Sequence, residues 1–125
     1  MLFDSDVVIW GLRGNPSAQS LFITIETPII SAVSYMEIIR GLRNKQESLH
    51  WKSFIAEMNI KVIPINELIS TKAMYWVEEF GLSHGLDIPD ALIATTADAN
   101  GILLFTGNVK DYKFIPGLAI KHFKQ

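Results

Sequence analysis

The chain has 125 residues, 49% hydrophobic and 19% charged, with a formal net charge of −2 and no cysteine. That length predicts one domain over residues 1–125 with one core, burying roughly two thirds of the unfolded surface, and the composition argues against disorder. It excludes a disulfide framework and a thiolate zinc site, and argues against retention of nucleic acid by bulk charge while leaving room for a local basic surface.

Apolar runs such as Val7–Trp10 and Ile102–Phe105 fall far short of the roughly 20 residues needed to cross a bilayer. Asp4 and Asp6 interrupt the first apolar residues with no basic segment before them, so neither a signal nor a transit peptide fits. A soluble, cytoplasmic protein without membrane association is the expectation. His50, His84 and His122 are widely separated and form no ligand-spaced pair.

In chain order, Met1–Asp4 reads as a short buried strand ending on acids, and Val7–Leu12 continues apolar until Gly14, Asn15 and Pro16 break it. A second short strand fits Pro28–Ser31. Ser34–Arg43 predicts a helix whose Tyr35, Ile38, Ile39 and Leu42 follow the spacing of a buried face, with Gly41 marking a bend or stop. Another helix fits Gln46–Met58, followed by the β-like run Ile60–Ile65. From the N-cap candidate Asn66, a helical pattern runs to about Phe80, punctuated by Gly81 and Gly85. Asp87, Ile88 and Pro89 mark the next helix start, and Ala91–Ala99 supplies good helix formers. Ile102–Phe105 is then a strand, and Leu118–Phe123 a last possible one.

Short apolar strands alternating with helices predict an α/β layer structure with a mainly parallel central sheet. Such sheets place their sites outside the carboxyl ends of the strands. Asp4 ends the first strand, Asn108 closely follows the strand ending near Phe105, and Asp90 begins a helix. Mg²⁺ prefers oxygen ligands and keeps several waters, so a few carboxylates and a phosphate oxygen can complete its shell. Such an ion can activate water and neutralise charge on a scissile phosphate, assisted by a second ion roughly 4 Å away.

Each acid also has a structural explanation. Asp6 fits capping of Val7–Leu12 as well as metal binding, and Ser5 can orient Asp4 or bond a turn amide. Glu37 lies off the apolar stripe of its helix, where it reads equally as a surface glutamate near Arg40. Asp90 suits the helix N-terminus electrostatically, with Asp87 better placed for pure capping. Asn108 sits in a turn-prone segment with Gly107. Arg40, Arg43, Lys45, Lys110 and Lys113 can contact phosphates or serve as ordinary surface charge.

In order, LFDSDVVIW, SYMEIIRGLR, DIPDALIATTADANG and LLFTGNVKDY resemble the four signature blocks of PIN domains, especially VapC-type toxins. The resemblance spans almost the whole chain and rests on the order and spacing of the blocks. It implies that Asp4 is the first metal-binding aspartate, Glu37 the helix glutamate, and Asp90 the aspartate of the D-A-x-I-A block. The fourth acidic position falls on Asn108 of Thr106-Gly107-Asn108, or on Asp111 three residues later. An amide oxygen can meet a metal but brings no charge, so these two residues divide that role.

The same resemblance implies a PIN-like three-layer fold and an endoribonuclease using one or two Mg²⁺ or Mn²⁺ ions. It further implies homodimerisation and the role of toxin in a type II toxin-antitoxin pair, inhibited by a small cognate antitoxin. Two other readings stand beside it. One is a degenerate PIN domain that binds RNA or an antitoxin without cleavage, suggested by Asn108. The other is a haloacid-dehalogenase-like phosphatase with Asp4 as nucleophile, suggested by the D-x-D after an apolar strand.

Overall fold

Five short strands are laid down along the chain: β1 (Leu2–Phe3), β2 (Ile29–Ser31), β3 (Lys61–Ile63), β4 (Leu104–Thr106) and β5 (Ile120–His122). In the computed structural model, which describes residues 1–125, they form one wholly parallel sheet in the order β3-β2-β1-β4-β5. Six helices connect or cover them: α1 (Ser5–Leu12), α2 (Pro16–Thr24), α3 (Ala32–Arg40), α4 (Lys45–Glu57), α5 (Glu67–His84) and α6 (Ile88–Ala99). No helix is long and apolar enough to cross a membrane.

Successive strand residues face opposite sides of a sheet, and this alternation divides the interior. Phe3, Ile30 and Phe105 face one side, where they meet Val7 and Val8 of α1, Phe22 of α2 and Trp51 of α4. Leu2 and Leu104 face the other, against Ala73 of α5 and Ile93, Ala94 and Ala97 of α6. The result is the expected three-layer α/β arrangement with a parallel sheet. The single core anticipated from length is two apolar clusters, because a sheet one strand thick separates them.

Capping explains most boundaries. Asp4, Asn15, Ser31, Asn44, Asn66 and Asp87 each accept a backbone N–H at the start of a helix, satisfying donors that have no partner within the helix. The break anticipated at Gly14-Asn15-Pro16 is therefore the start of α2, with Asn15 as cap and proline in the first turn. The N-cap of α1 is Asp4, and Asp6, within the first turn, also accepts a backbone N–H, from Val7. The α3 helix stops at Gly41 as anticipated, but Ile39 is 44% exposed. Ile38 is buried and Tyr35 and Leu42 pack partly buried against the core as expected, and Val33 and Ser34 complete the buried face. The α5 helix runs through Gly81 to Gly85, whose φ of +70° is the left-handed conformation that glycine ends helices with most readily.

Phe22 shows what the unanticipated α2 contributes. Its ring is 2% exposed and packs 4.6 Å from Phe3 and 5.3 Å from Phe54. Phe22→Ala should lower unfolding stability by about 3–5 kcal/mol, the usual cost of removing a buried phenyl ring. Denaturant unfolding measures this, and a loss within about 0.5 kcal/mol, the scale of surface substitutions, would contradict the placement of α2 over the core.

Candidate active site

Strand order reverses between β1 and β4, the position where open parallel sheets place their sites. Asp4 stands there, immediately after β1, with its backbone N–H bonded to Phe105 O at 2.9 Å. Its side chain is held from three directions. Oδ1 accepts from the Ser5 N–H at 2.8 Å, and Oδ2 accepts from Thr106 Oγ1 at 2.8 Å and from the Tyr112 hydroxyl at 3.0 Å. The residue is only 5% exposed.

The Tyr112 hydroxyl also lies 3.2 Å from Asp90 Oδ1, so one phenol links acids that are far apart in sequence. Asp90 occupies the first turn of α6, behind the capping residue Asp87. Glu37, exposed on α3, accepts from Ser5 Oγ at 2.8 Å, and that hydroxyl lies 2.9 Å from the oxygen of buried Ser34. Because the Ser5 hydroxyl has one hydrogen, giving it to Glu37 leaves the serine oxygen to accept from Ser34. Ser5 thus holds Glu37 beside Asp4.

Asp6 ties the end of β4 to α1. Its Oδ2 accepts from Gly107 N at 2.9 Å and Asn108 Nδ2 at 3.3 Å. A Cβ at Gly107 would stand 2.5 Å from that oxygen, so only glycine permits this approach. Asp111 lies in a single 3₁₀ turn, Val109–Asp111, just before Tyr112.

The electrostatics are those of crowded acids. Burial pushes the Asp90 carboxyl up to about 7, with the charges of Asp87, Asp4 and, more weakly, Asp111 adding to the shift. Asp6 rises to about 6 through burial and the neighbouring Asp4. Burial also raises Asp4, against the lowering influence of its three donors. Burial and then the two acids raise the Tyr112 phenol, which is therefore a neutral donor. None of the hydrogen-bond partners of Asp4, Asp6 or Asp90 is cationic. Negative charge gathered without a cationic partner suits a divalent ion. No three Asp, Glu or His side chains converge into a ready metal cage. The donor set fits an ion such as Mg²⁺, which takes one or two carboxylates and completes its shell with water.

The family model of the PIN domain matches residues 1–114. The chain belongs to the PIN-domain family. Similar solved structures include a toxin-antitoxin complex from Klebsiella pneumoniae, with 28% identity, 96% of this chain and 94% of that chain covered, and a TM-score of 0.75. DNA-bound VapBC from Salmonella typhimurium shares 20% identity over 97% of this chain and 96% of that one, with a TM-score of 0.84. VapBC2 from Rickettsia felis, bound to a promoter DNA fragment, shares 20% identity over 98% of both chains, with a TM-score of 0.81. A search of curated proteins finds no match.

In this PIN domain, Asp4 and Asp90 come together through Tyr112, and Glu37 joins them through Ser5. Asp111 acts on both Asp4 and Asp90 through its charge, whereas the Asn108 amide is turned to Asp6. Arg40, Arg43 and Lys110 are all exposed, and Arg43 is paired with Glu47 at 3.0 Å. Sequence reasoning passed over Arg13, which lines a groove of about 560 Å³ with Glu37 and Arg43. It also assigned no role to Thr106, Ser34 or Tyr112, although Thr106 and Tyr112 lie within the LLFTGNVKDY block that carried the resemblance.

The raised carboxyls make stability depend on pH and metal. For Asp90, the unfolded chain releases its proton near the ordinary carboxylate value and the folded chain only near 7. Its contribution is thus fully present below about 4 and is lost as pH rises to about 7. In chelator at pH 8, Asp90→Asn should therefore melt at a higher temperature than the parent protein, and the difference should shrink towards pH 4. A lower Tm for the variant at pH 8 would contradict the carboxylate crowding.

Proposed function

We propose that this PIN domain is an Mg²⁺- or Mn²⁺-dependent endoribonuclease and the toxin of a toxin-antitoxin pair. The observation carrying the reading is the junction of Asp4 and Asp90 across one tyrosine hydroxyl, with Glu37 held alongside by Ser5, at the carboxyl edge of the sheet. The PIN family is a family of nucleases that generally use divalent metal ions, and the neighbours named above as toxin-antitoxin or VapBC complexes support a protein antitoxin as partner. A homodimer belongs to the same reading.

Asp4, Asp90 and Glu37 are the residues that would hold the metal, as one or two ions. When bound, such an ion neutralises charge developing on the phosphate and lowers the pKa of coordinated water. Asp4, immobilised by three donors, presents its remaining lone pairs in a fixed direction. Glu37, more exposed and held by one serine, is placed to orient a water or accept its proton. Asp111 supplies the fourth negative charge, while Asn108 stabilises the turn through Asp6. Arg40, Arg43 and Lys110 offer exposed cations to the RNA backbone.

Purified protein freed of any partner should cleave RNA with Mg²⁺ or Mn²⁺, and its induced expression should arrest growth of a bacterial host. Asp90→Asn should abolish the arrest and slow cleavage by about 100-fold or more, the scale expected from losing a charge-stabilising group, while retaining the native circular dichroism spectrum. RNA binding without cleavage across substrates and metals would overturn the nuclease reading. Cleavage without growth arrest, and with no small antitoxin-like reading frame beside the gene, would overturn the toxin role alone.

The fourth position has its own test. Asp111→Asn should slow cleavage at saturating metal more than Asn108→Ala does, because only Asp111 brings charge to bear on Asp4 and Asp90. The reverse order would assign that position to Asn108.

A further inference from the structure

Tyr112 combines three properties that packing alone does not require together. Its ring is fully buried in the apolar cluster beneath α5 and α6. Its hydroxyl emerges at the carboxyl edge of the sheet, within hydrogen-bond distance of two acids. And it is the only side-chain hydrogen-bonding group within reach of Asp90, sharing its single hydrogen between the two acids, whereas Asp4 has Thr106 and a backbone amide besides.

We propose that Tyr112 is a positioning residue for the metal site, holding Asp90 against Asp4 at a spacing that one hydrated divalent cation can span. The inference rests on the metal-site reading above and extends it to a residue that touches neither metal nor substrate. The hydroxyl distances place Asp4 Oδ2 and Asp90 Oδ1 no more than about 6 Å apart, within reach of one ion through direct and water-mediated contacts. Two carboxylates at that range repel one another, and the phenol hydrogen between them offsets part of the repulsion. The buried ring fixes where the hydroxyl stands. Without it, Asp90 has no side-chain tether and turns away from Asp4 towards solvent, and a cation must then gather its ligands at the expense of their freedom.

Tyr112→Phe keeps the ring and removes the hydroxyl. Calorimetric titration of partner-free protein with Mn²⁺ should show affinity about 10-fold weaker than the parent, the scale seen when a group orienting a metal ligand is lost. The Mn²⁺ concentration giving half-maximal RNA cleavage should rise by a similar factor. Unchanged or tighter Mn²⁺ binding by folded Tyr112→Phe overturns the inference.

A second measurement needs no folded variant at this position. With ¹³C-labelled tyrosine in the parent chain, one of the three tyrosine Cζ resonances (Tyr35, Tyr75 and Tyr112) should move when Mg²⁺ is added, and Asp90→Asn should abolish the movement. Three resonances indifferent to Mg²⁺ overturn the inference. Asp90→Asn separates it from the reading beneath it. If that variant binds Mn²⁺ as tightly as the parent, the metal site falls and this inference with it. If it loses Mn²⁺ while Tyr112→Phe does not, this inference alone falls.

Discussion

A carboxylate almost sealed from water at the end of a central strand is the constraint on which the rest of the site depends. Taking an ionised group out of water is costly unless donors or counter-charge replace its hydration. Asp4 meets that requirement with donors drawn from across the chain: the first amide of α1, the Thr106 hydroxyl at the end of β4, and the Tyr112 phenol after the 3₁₀ turn. The bond from its own amide to Phe105 O joins β1 to β4 at the same point. Satisfying this one side chain therefore fixes the relative position of two strands, a helix start and the turn that carries Asp111.

The helices reinforce the arrangement. Asp4, Ser31 and Asp87 cap α1, α3 and α6, and the N-termini of α1 and α6, which carry Asp6 and Asp90 in their first turns, bring partial positive charge to those acids. This partial positive charge softens the crowding of Asp4, Asp6 and Asp90 without abolishing it, as their raised pKa values indicate. The site is therefore poised: neutral enough to fold in the absence of metal, and acidic enough to favour a cation once the carboxyls ionise.

Much of this was legible in the sequence because short apolar strands, cap residues and helix periods are local signals. The three-layer arrangement followed from their alternation, and the acids were marked by their places at strand ends and helix starts. The second helix was missed because Asn15-Pro16 was read as a break, although Asp87-Ile88-Pro89 was correctly read as a start. Asn and Pro serve both purposes, and only the burial of Ala18 and Phe22 decides between them. Ile39 was assigned to the buried face because its spacing fits, yet that spacing does not reveal how wide a stripe the neighbouring helices cover. The partners of the hydroxyls were invisible for another reason, even for Ser5, which the sequence marks only as a neighbour of Asp4. Ser5, Ser34, Thr106 and Tyr112 matter through distances of about 3 Å between residues as many as 108 positions apart, and no local pattern encodes such a meeting.

That separation has a consequence for synthesis of the chain. Asp4 is made well before Thr106 and Tyr112, which complete its surroundings and follow it by 102 and 108 positions. A nascent chain still lacking Tyr112 carries the Asp4 and Asp90 carboxyls but not the hydroxyl that joins them. The assembled acidic junction thus forms only once the chain has been made through Tyr112, and every shorter nascent chain is without it.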